Sequence, residues 1–161
     1  MALTQWVHGE ANMAASKMLV ALKDLEHVET LTALACELAE RRNAEVVALH
    51  VVVVGPQLPL SAPVAALDTQ GEGLLARARE VAAKSPVKQI STRLIRARDA
   101  AHALVREAED EQAELMILGY QHGLGAAKAV MGSVVRHVSE HAPCQVIVQV
   151  VPATQRAKEV A

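Results

Sequence analysis

Between Leu118 and Val150 the chain reads LGYQHGLGAAKAVMGSVVRHVSEHAPCQVIVQV, which sets Gly119, Gly123 and Gly125 after an apolar run and Gly132-Ser133 at the head of a helical pattern. Backbone N–H groups of a glycine loop and of a helix N-terminus converge on an anion, and the helix dipole favours negative charge there. Ser133 adds a hydroxyl donor, so a phosphate chain is the natural occupant. Two common phosphate motifs are excluded. No Gly, four residues, Gly-Lys-Ser/Thr string occurs, and that string defines the Walker A loop. GLGAAK starts as GxGxxG at Gly123 and Gly125, but Lys128 stands at the third glycine and the string does not follow the first strand. The same glycines also suit a surface connection with tight turns, and their chemistry alone leaves both readings open.

Other residues invite sharper chemistry. Lys23 follows the first apolar run and precedes Asp24, where an ammonium at a strand end pairs with phosphate or is simply solvated. His137, Glu140 and His141 spell H-x-x-E-H, a pattern that sets two histidines one turn apart for a metal. A catalytic zinc needs a third protein ligand, and after His141 the only acid is Glu159 in a terminal tail. The simpler expectation is that His141 ends a helix before Ala142-Pro143 and meets its free carbonyls and dipole, with His137 and Glu140 exposed. His50 is expected as a satisfied core or edge histidine and His102 as a helical surface residue. Ser133 lacks a surrounding GxSxG, so no nucleophile elbow is present, and no catalytic residue is assigned.

Composition narrows the class. A chain of 161 residues fits one domain. Its hydrophobic fraction is 52%, with no Phe, one Trp and one Tyr, so small and branched side chains must fill the core. Nucleic-acid binders need stacking aromatics or excess Lys and Arg. The net charge here is -2, so nucleic acid is not expected as a partner. Cys36 and Cys144 form no CxxC and read as small buried thiols of a reducing cytoplasm. Val46 to Val54, broken by His50, is far shorter than the roughly 20 residues that span a bilayer. The N-terminal segment has polar and acidic residues where a signal peptide carries its apolar stretch. Residues 1–16 are expected as a loose arm, 17–151 as the domain and 152–161 as a tail.

These groups need elements to hold them. MLVAL (Met18 to Leu22) and EVVALHVVVV (Glu45 to Val54) read as strands buried on both faces. Between them Val28, Leu31, Leu34, Ala35, Leu38 and Ala39 recur at helical spacing up to Asn43, an αL-tolerant residue. After the loop Pro56 to Pro63, a helix is expected from about Asp68 to Lys84, with Gly71 and Gly73 weakening its first turn. Val87 to Ala97 alternates in a mixed way that fits a less buried strand. Asp99 is placed to N-cap Ala100 to Asp110. Glu114 to Leu118 is a strand, Gly132 to His141 a helix and Gln145 to Val151 a final strand. The order β-α-β-α-β-α-β-α-β implies an α/β fold, a doubly wound five-stranded parallel sheet with helices on both faces. Ligands of such sheets bind beyond the strands' carboxyl ends, where the winding reverses.

The segment resembles the universal stress protein family, whose ATP-binding members carry Gly, two residues, Gly, nine residues, Gly-Ser/Thr after the fourth strand. Gly119, Gly132 and Ser133 fall at matching positions, and HAPCQVIVQV is similar to the family's closing stretch. KMLVALKDLEHVETLTALACELAERRNAEVVALHVV resembles its first β-α-β unit, so the likeness covers roughly residues 17 to 151. Two departures stand out. His122 occupies the second glycine position, with Gly123 one place later, and Lys23-Asp24 replaces the acid that usually follows the first strand. The resemblance implies a Rossmann-like, cytoplasmic, non-enzymatic stress-response protein that binds an adenine nucleotide: ATP or AMP, with a cyclic nucleotide as a further option and Mg with ATP. The implied contacts are Lys23, Asp24, Gly119, His122, Gly123, Gly125, Gly132, Ser133 and Val134, with Val52 lining the base pocket. It also implies a homodimer through the C-terminal strand, since an apolar edge strand must be covered. The first-strand wording and VVVVGPQLPL look like universal stress domains attached to, or encoded beside, membrane transporters. A nucleotide-free interaction module and a slow ATPase or metal hydrolase are the competing functions.

Overall fold

The structure is a computed structural model and describes residues 16–87, 90–121 and 132–151. Strands β1 (Lys17–Ala21), β2 (Glu45–Val53), β3 (Ile90–Ala97), β4 (Leu115–Gln121) and β5 (Gln145–Val151) alternate with helices α1 (Leu25–Arg42), α2 (Ala65–Ala83), α3 (Ala100–Asp110) and α4 (Ser133–His141). The strands form one sheet in the order β3-β2-β1-β4-β5, and every neighbouring pair is parallel. β1 and β4 lie inside it, and their apolar runs are buried, as strands covered on both faces require.

Period-two alternation divides the core. Met18, Val20, Val46, Ala48, Leu115 and Ile117 pack with Val28, Leu31 and Ala35 of α1 and Leu74, Leu75 and Ala78 of α2. Leu19, Val47, Leu49, Met116 and Leu118 pack on the other face against Leu104 and Ala108 of α3 and Val135 and Val138 of α4. Right-handed crossovers explain the split: stepping from β1 to β3 puts helices on one face, and stepping back through β4 to β5 puts them on the other. The reversal falls between β1 and β4. Among the described residues no helix is long and apolar enough to cross a membrane.

Local signals set the helix ends. Asp24 and Asp99 cap α1 and α3, accepting hydrogen bonds from the backbone N–H of His27 and His102. Asn43 closes α1 with φ 51°, a left-handed turn that asparagine tolerates.

Three expected boundaries are corrected. α2 starts at Ala65 rather than near Asp68, so Gly71 lies inside the helix, where its missing Cβ admits Leu94 and His50. β4 runs on to Gln121 rather than ending at Leu118, because Gly119, Tyr120 and Gln121 pair with Gln149, Val150 and Val151. β3 starts at Ile90 rather than Val87. Val87 donates its N–H to the Ser85 hydroxyl instead.

Candidate functional site

The β1–β4 ladder ends at Val20 and Ile117, where the winding reverses, and a cavity of about 360 Å³ opens beyond it. Its walls are Lys23, Asp24, His27 and Leu31 from the β1–α1 side, Gly119 to Gln121 from β4, and Gly132 to Val135 from the start of α4. A second cavity of about 180 Å³ shares Ala21, Lys23, Gly119 and Val134 and runs on between the ends of β1 and β2 to Leu49, Val51, Val53, Leu104 and Leu118. The first is about half polar and is bounded by a helix N-terminus. The second is mostly apolar.

Each side chain is placed for a local reason. Gly132 is the N-cap of α4, with φ -54° and ψ 145°, and among the described residues no side-chain cap bond is made there. α1 and α3, by contrast, spend an aspartate on that task. The positive end of α4 therefore faces the cavity uncapped, with the Ser133 hydroxyl beside it, which is the arrangement an anion stabilises. Lys23 is exposed and borders both cavities. Gly119 lets α1 approach β4: a Cβ there would sit 3.0 Å from Leu31 Cδ1.

The structure brings Lys23, Asp24, Gly119, Gly132, Ser133 and Val134 together around one cavity. Val52 is not among its walls. It shares the sheet face of Val46 and Ala48 and is 2% exposed, while its neighbours Val51 and Val53 line the apolar cavity. A strand alternates faces at every residue, so Val51 and Val53 lie on the opposite sheet face from Val52. His122, Gly123 and Gly125 lie outside the described residues.

His27 is the wall residue that sequence reading missed. It is 6% exposed, and its Nδ1 lies 2.5 Å from Asp24 Oδ1, the oxygen that also accepts the His27 N–H at 3.1 Å. A carboxylate only accepts, so Nδ1 carries the proton. The available signal was Asp-x-x-His at a helix start, which recurs at Asp99 and His102 with the same contacts at 2.8 Å. In that second copy the His102 ring is 73% exposed, and the His102 backbone N–H, then its ring, hold the Asp99 carboxyl below its usual range. Sequence spacing cannot tell the buried copy from the exposed one.

The remaining chemical candidates resolve into packing. His50 donates Nδ1–H to the Leu22 carbonyl at 2.7 Å, the satisfied histidine expected of it. His141 Nδ1 sits 2.9 Å from the His137 carbonyl, as expected of a helix C-terminus. His137 is half-buried rather than exposed, because its ring stacks between His141 and His102 at centroid distances of 4.2 and 4.3 Å. Among the described residues no group of three His, Cys, Asp or Glu is arranged to hold a metal ion. Cys36 is buried and Cys144 half-buried, both free, and burial pushes both thiols up from their ordinary pKa, away from the reactive thiolate. A larger cavity of about 540 Å³ lies over β3 and α3. Two of its three arginines are already committed: Arg96 binds Asp68 and the Leu60 and Ala62 carbonyls, and Arg98 the Val54, Gly55 and Leu58 carbonyls, while Arg106 is exposed beside Asp110. Arg96 and Arg98 strap down the β2–α2 connection and are not available for a ligand.

A doubly wound parallel sheet with an open cavity at its switch point defines the class of α/β folds that take their ligands at that place. A sequence model of the universal stress protein family matches residues 15–150, and the chain belongs to that family. Solved structures agree. A universal stress protein from Archaeoglobus fulgidus in complex with dAMP is 20% identical, with a TM-score of 0.67, covering 84% of this chain and 98% of that one. A universal stress protein in complex with cAMP is 19% identical, with a TM-score of 0.65, covering 84% and 96%. A family member from Burkholderia pseudomallei is 28% identical, with a TM-score of 0.62, covering 88% and 98%. Comparison with curated proteins gives no match.

Proposed function

We propose that this universal stress protein binds an adenine nucleotide in the paired cavities at the β1–β4 switch point and acts as a regulator rather than an enzyme. The observation that carries this is the uncapped N-terminus of α4 facing Lys23 across a half-polar cavity that continues into an apolar one. The apolar cavity suits a base, bordered by Val51 and Val53. The polar one suits phosphates, held by the Gly132 to Val134 N–H groups, the Ser133 hydroxyl and Lys23. His122, Gly123 and Gly125 complete the phosphate loop in this proposal. Complexes of relatives with dAMP and cAMP support an adenine monophosphate. AMP, a cyclic nucleotide, or ATP with Mg are the ligands to test. Asp24 contributes by orienting the first turn of α1, since its Oδ1 is already shared between two groups of His27.

In this proposal the protein acts in the cytoplasm as a homodimer paired through β5. Nucleotide biases one conformer or assembly by its differential affinity, and a membrane transporter is a candidate recipient of that signal.

Denaturing the purified protein and identifying released nucleotide by mass spectrometry, then repeating with Gly132→Val, tests this reading. A Cβ at Gly132 meets nothing within 4 Å among the described residues, so the variant is expected to fold while its side chain crowds the anion position. Nucleotide in the parent and none in the folded variant is the expected result. An empty parent whose melting temperature no adenine nucleotide raises would refute binding and leave a partner-only module.

A further inference from the structure

We infer that His27 is a ligand contact of the polar cavity, donating Nε2–H to a phosphate oxygen. The inference deepens the nucleotide reading above and rests on it for the identity of the phosphate carrier. His27 Nε2 is buried and has no hydrogen-bond partner among the described residues, although His27 is one of the residues that border the cavity and its side chain is 8% exposed. His50 also gives one ring nitrogen, Nδ1, to a fixed acceptor, the Leu22 carbonyl, but its Nε2 is not among the buried unpartnered atoms, whereas that of His27 is. Leaving a buried ring nitrogen unmatched costs free energy that only an added group recovers.

The chemistry of that group follows from its surroundings. The first turn of α4, Ser133 and Lys23 all border the cavity and bring donors to it, which suits an occupant rich in acceptors. The Asp24 carboxylate, already bonded to His27 on the Nδ1 side, fixes the ring's rotation. With Nδ1–H given to Asp24 and Nε2–H given to the occupant, the ring is an imidazolium, whose charge Asp24 and the phosphate share between them. The other ionisable groups on the cavity wall are Lys23 and Tyr120. A hydroxyl or amine on the occupant would instead donate to a neutral Nε2. Comparing AMP with adenosine separates these cases, because only AMP carries the phosphate.

The test uses the full chain with ¹⁵N-labelled histidine, titrated in turn with AMP, adenosine and inorganic phosphate. AMP is expected to convert the His27 Nε2 signal to the protonated form, and adenosine to leave it unchanged. Calorimetry on His27→Leu, which keeps apolar volume in the buried site, should show AMP binding weakened about tenfold or more, as loss of a charge-assisted hydrogen bond implies, with adenosine binding unchanged. Equal losses for both ligands, or an Nε2 signal indifferent to AMP, would overturn the inference while leaving the nucleotide reading intact. A parent that binds neither AMP nor adenosine would instead refute that reading. Inorganic phosphate then decides for His27: a protonated Nε2 upholds an anion contact, and no response overturns it. Should His27→Leu fail to fold, the response of the parent's His27 ring to AMP and adenosine decides between the same two outcomes.

Discussion

Gly71 and Gly73 lie two positions apart on α2 and meet opposite surroundings. A Cβ at Gly71 would fall 2.5 Å from Leu94 Cδ1 and 2.7 Å from His50 Cδ2, whereas at Gly73 it meets nothing within 4 Å. Alanine gains about 1 kcal/mol of helix propensity over glycine at either site. At Gly71 that gain is opposed by overpacking, which costs about 1–3 kcal/mol. The His50 ring is pinned by its bond to the Leu22 carbonyl and cannot swing aside freely. Gly73→Ala should therefore raise the urea midpoint, by about 0.5–1 kcal/mol in stability, and Gly71→Ala should lower it. A stabilising Gly71→Ala would mean that α2 floats on the sheet rather than seating against β2 and β3. The sequence marked both glycines only as helix weaknesses, because neither His50 nor Leu94 is near them in the chain.

Among the elements, a network of ion pairs joins β1, β3 and the end of α3. Glu111, the C-cap of α3, pairs with Lys17 at 2.5 Å and with Arg93, which also binds Glu107. Its side chain is 9% exposed. The hydrogen bond from Lys17 is the main cause that holds the Glu111 carboxyl below its ordinary value of 4.5, burial opposing it and Arg93 adding to the lowering. A carboxyl with a depressed folded pKa contributes stability that is present above its unfolded value and is lost as pH falls through the folded one. Glu111→Gln should thus cost about 1–2 kcal/mol at pH 7, since Lys17 and Arg93 are partly solvated. The gap between variant and parent should close as thermal melts are taken below about pH 4. A gap that persisted into acid would show that packing rather than charge joins these elements. Sequence periodicity placed all three elements, but gave no sign that Lys17 and Glu111 would meet.

At the scale of the whole molecule, the two sheet edges differ in kind. β3 carries Arg93 and Arg96, charges that discourage a further strand. β5, QVIVQVV, carries none, and Val150 is 49% exposed. That asymmetry supports dimerisation through β5. Sedimentation should show a dimer for the parent, and Val150→Lys should weaken it by about 2 kcal/mol or more, as like charges facing across a two-fold interface require. A monomeric parent would defeat the dimer, and a dimeric Val150→Lys variant would move the interface elsewhere.

What the sequence determined by itself was whatever depends on near neighbours: the strand-helix order, the Asp24 and Asp99 caps, the turn at Asn43, and the glycine-serine start of α4. The family likeness added the expectation of a phosphate cradle. The tertiary structure decided what depends on faces and on distant partners. It put Val51 and Val53 on the wall of the apolar cavity and Val52 on the other sheet face, because alternate strand residues point to opposite sides of the sheet. It also separated two Asp-x-x-His starts of similar local geometry, burying His27 at the switch-point cavity while leaving His102 in solvent. Burial is set by which elements the winding of the sheet brings alongside, and local spacing does not encode it.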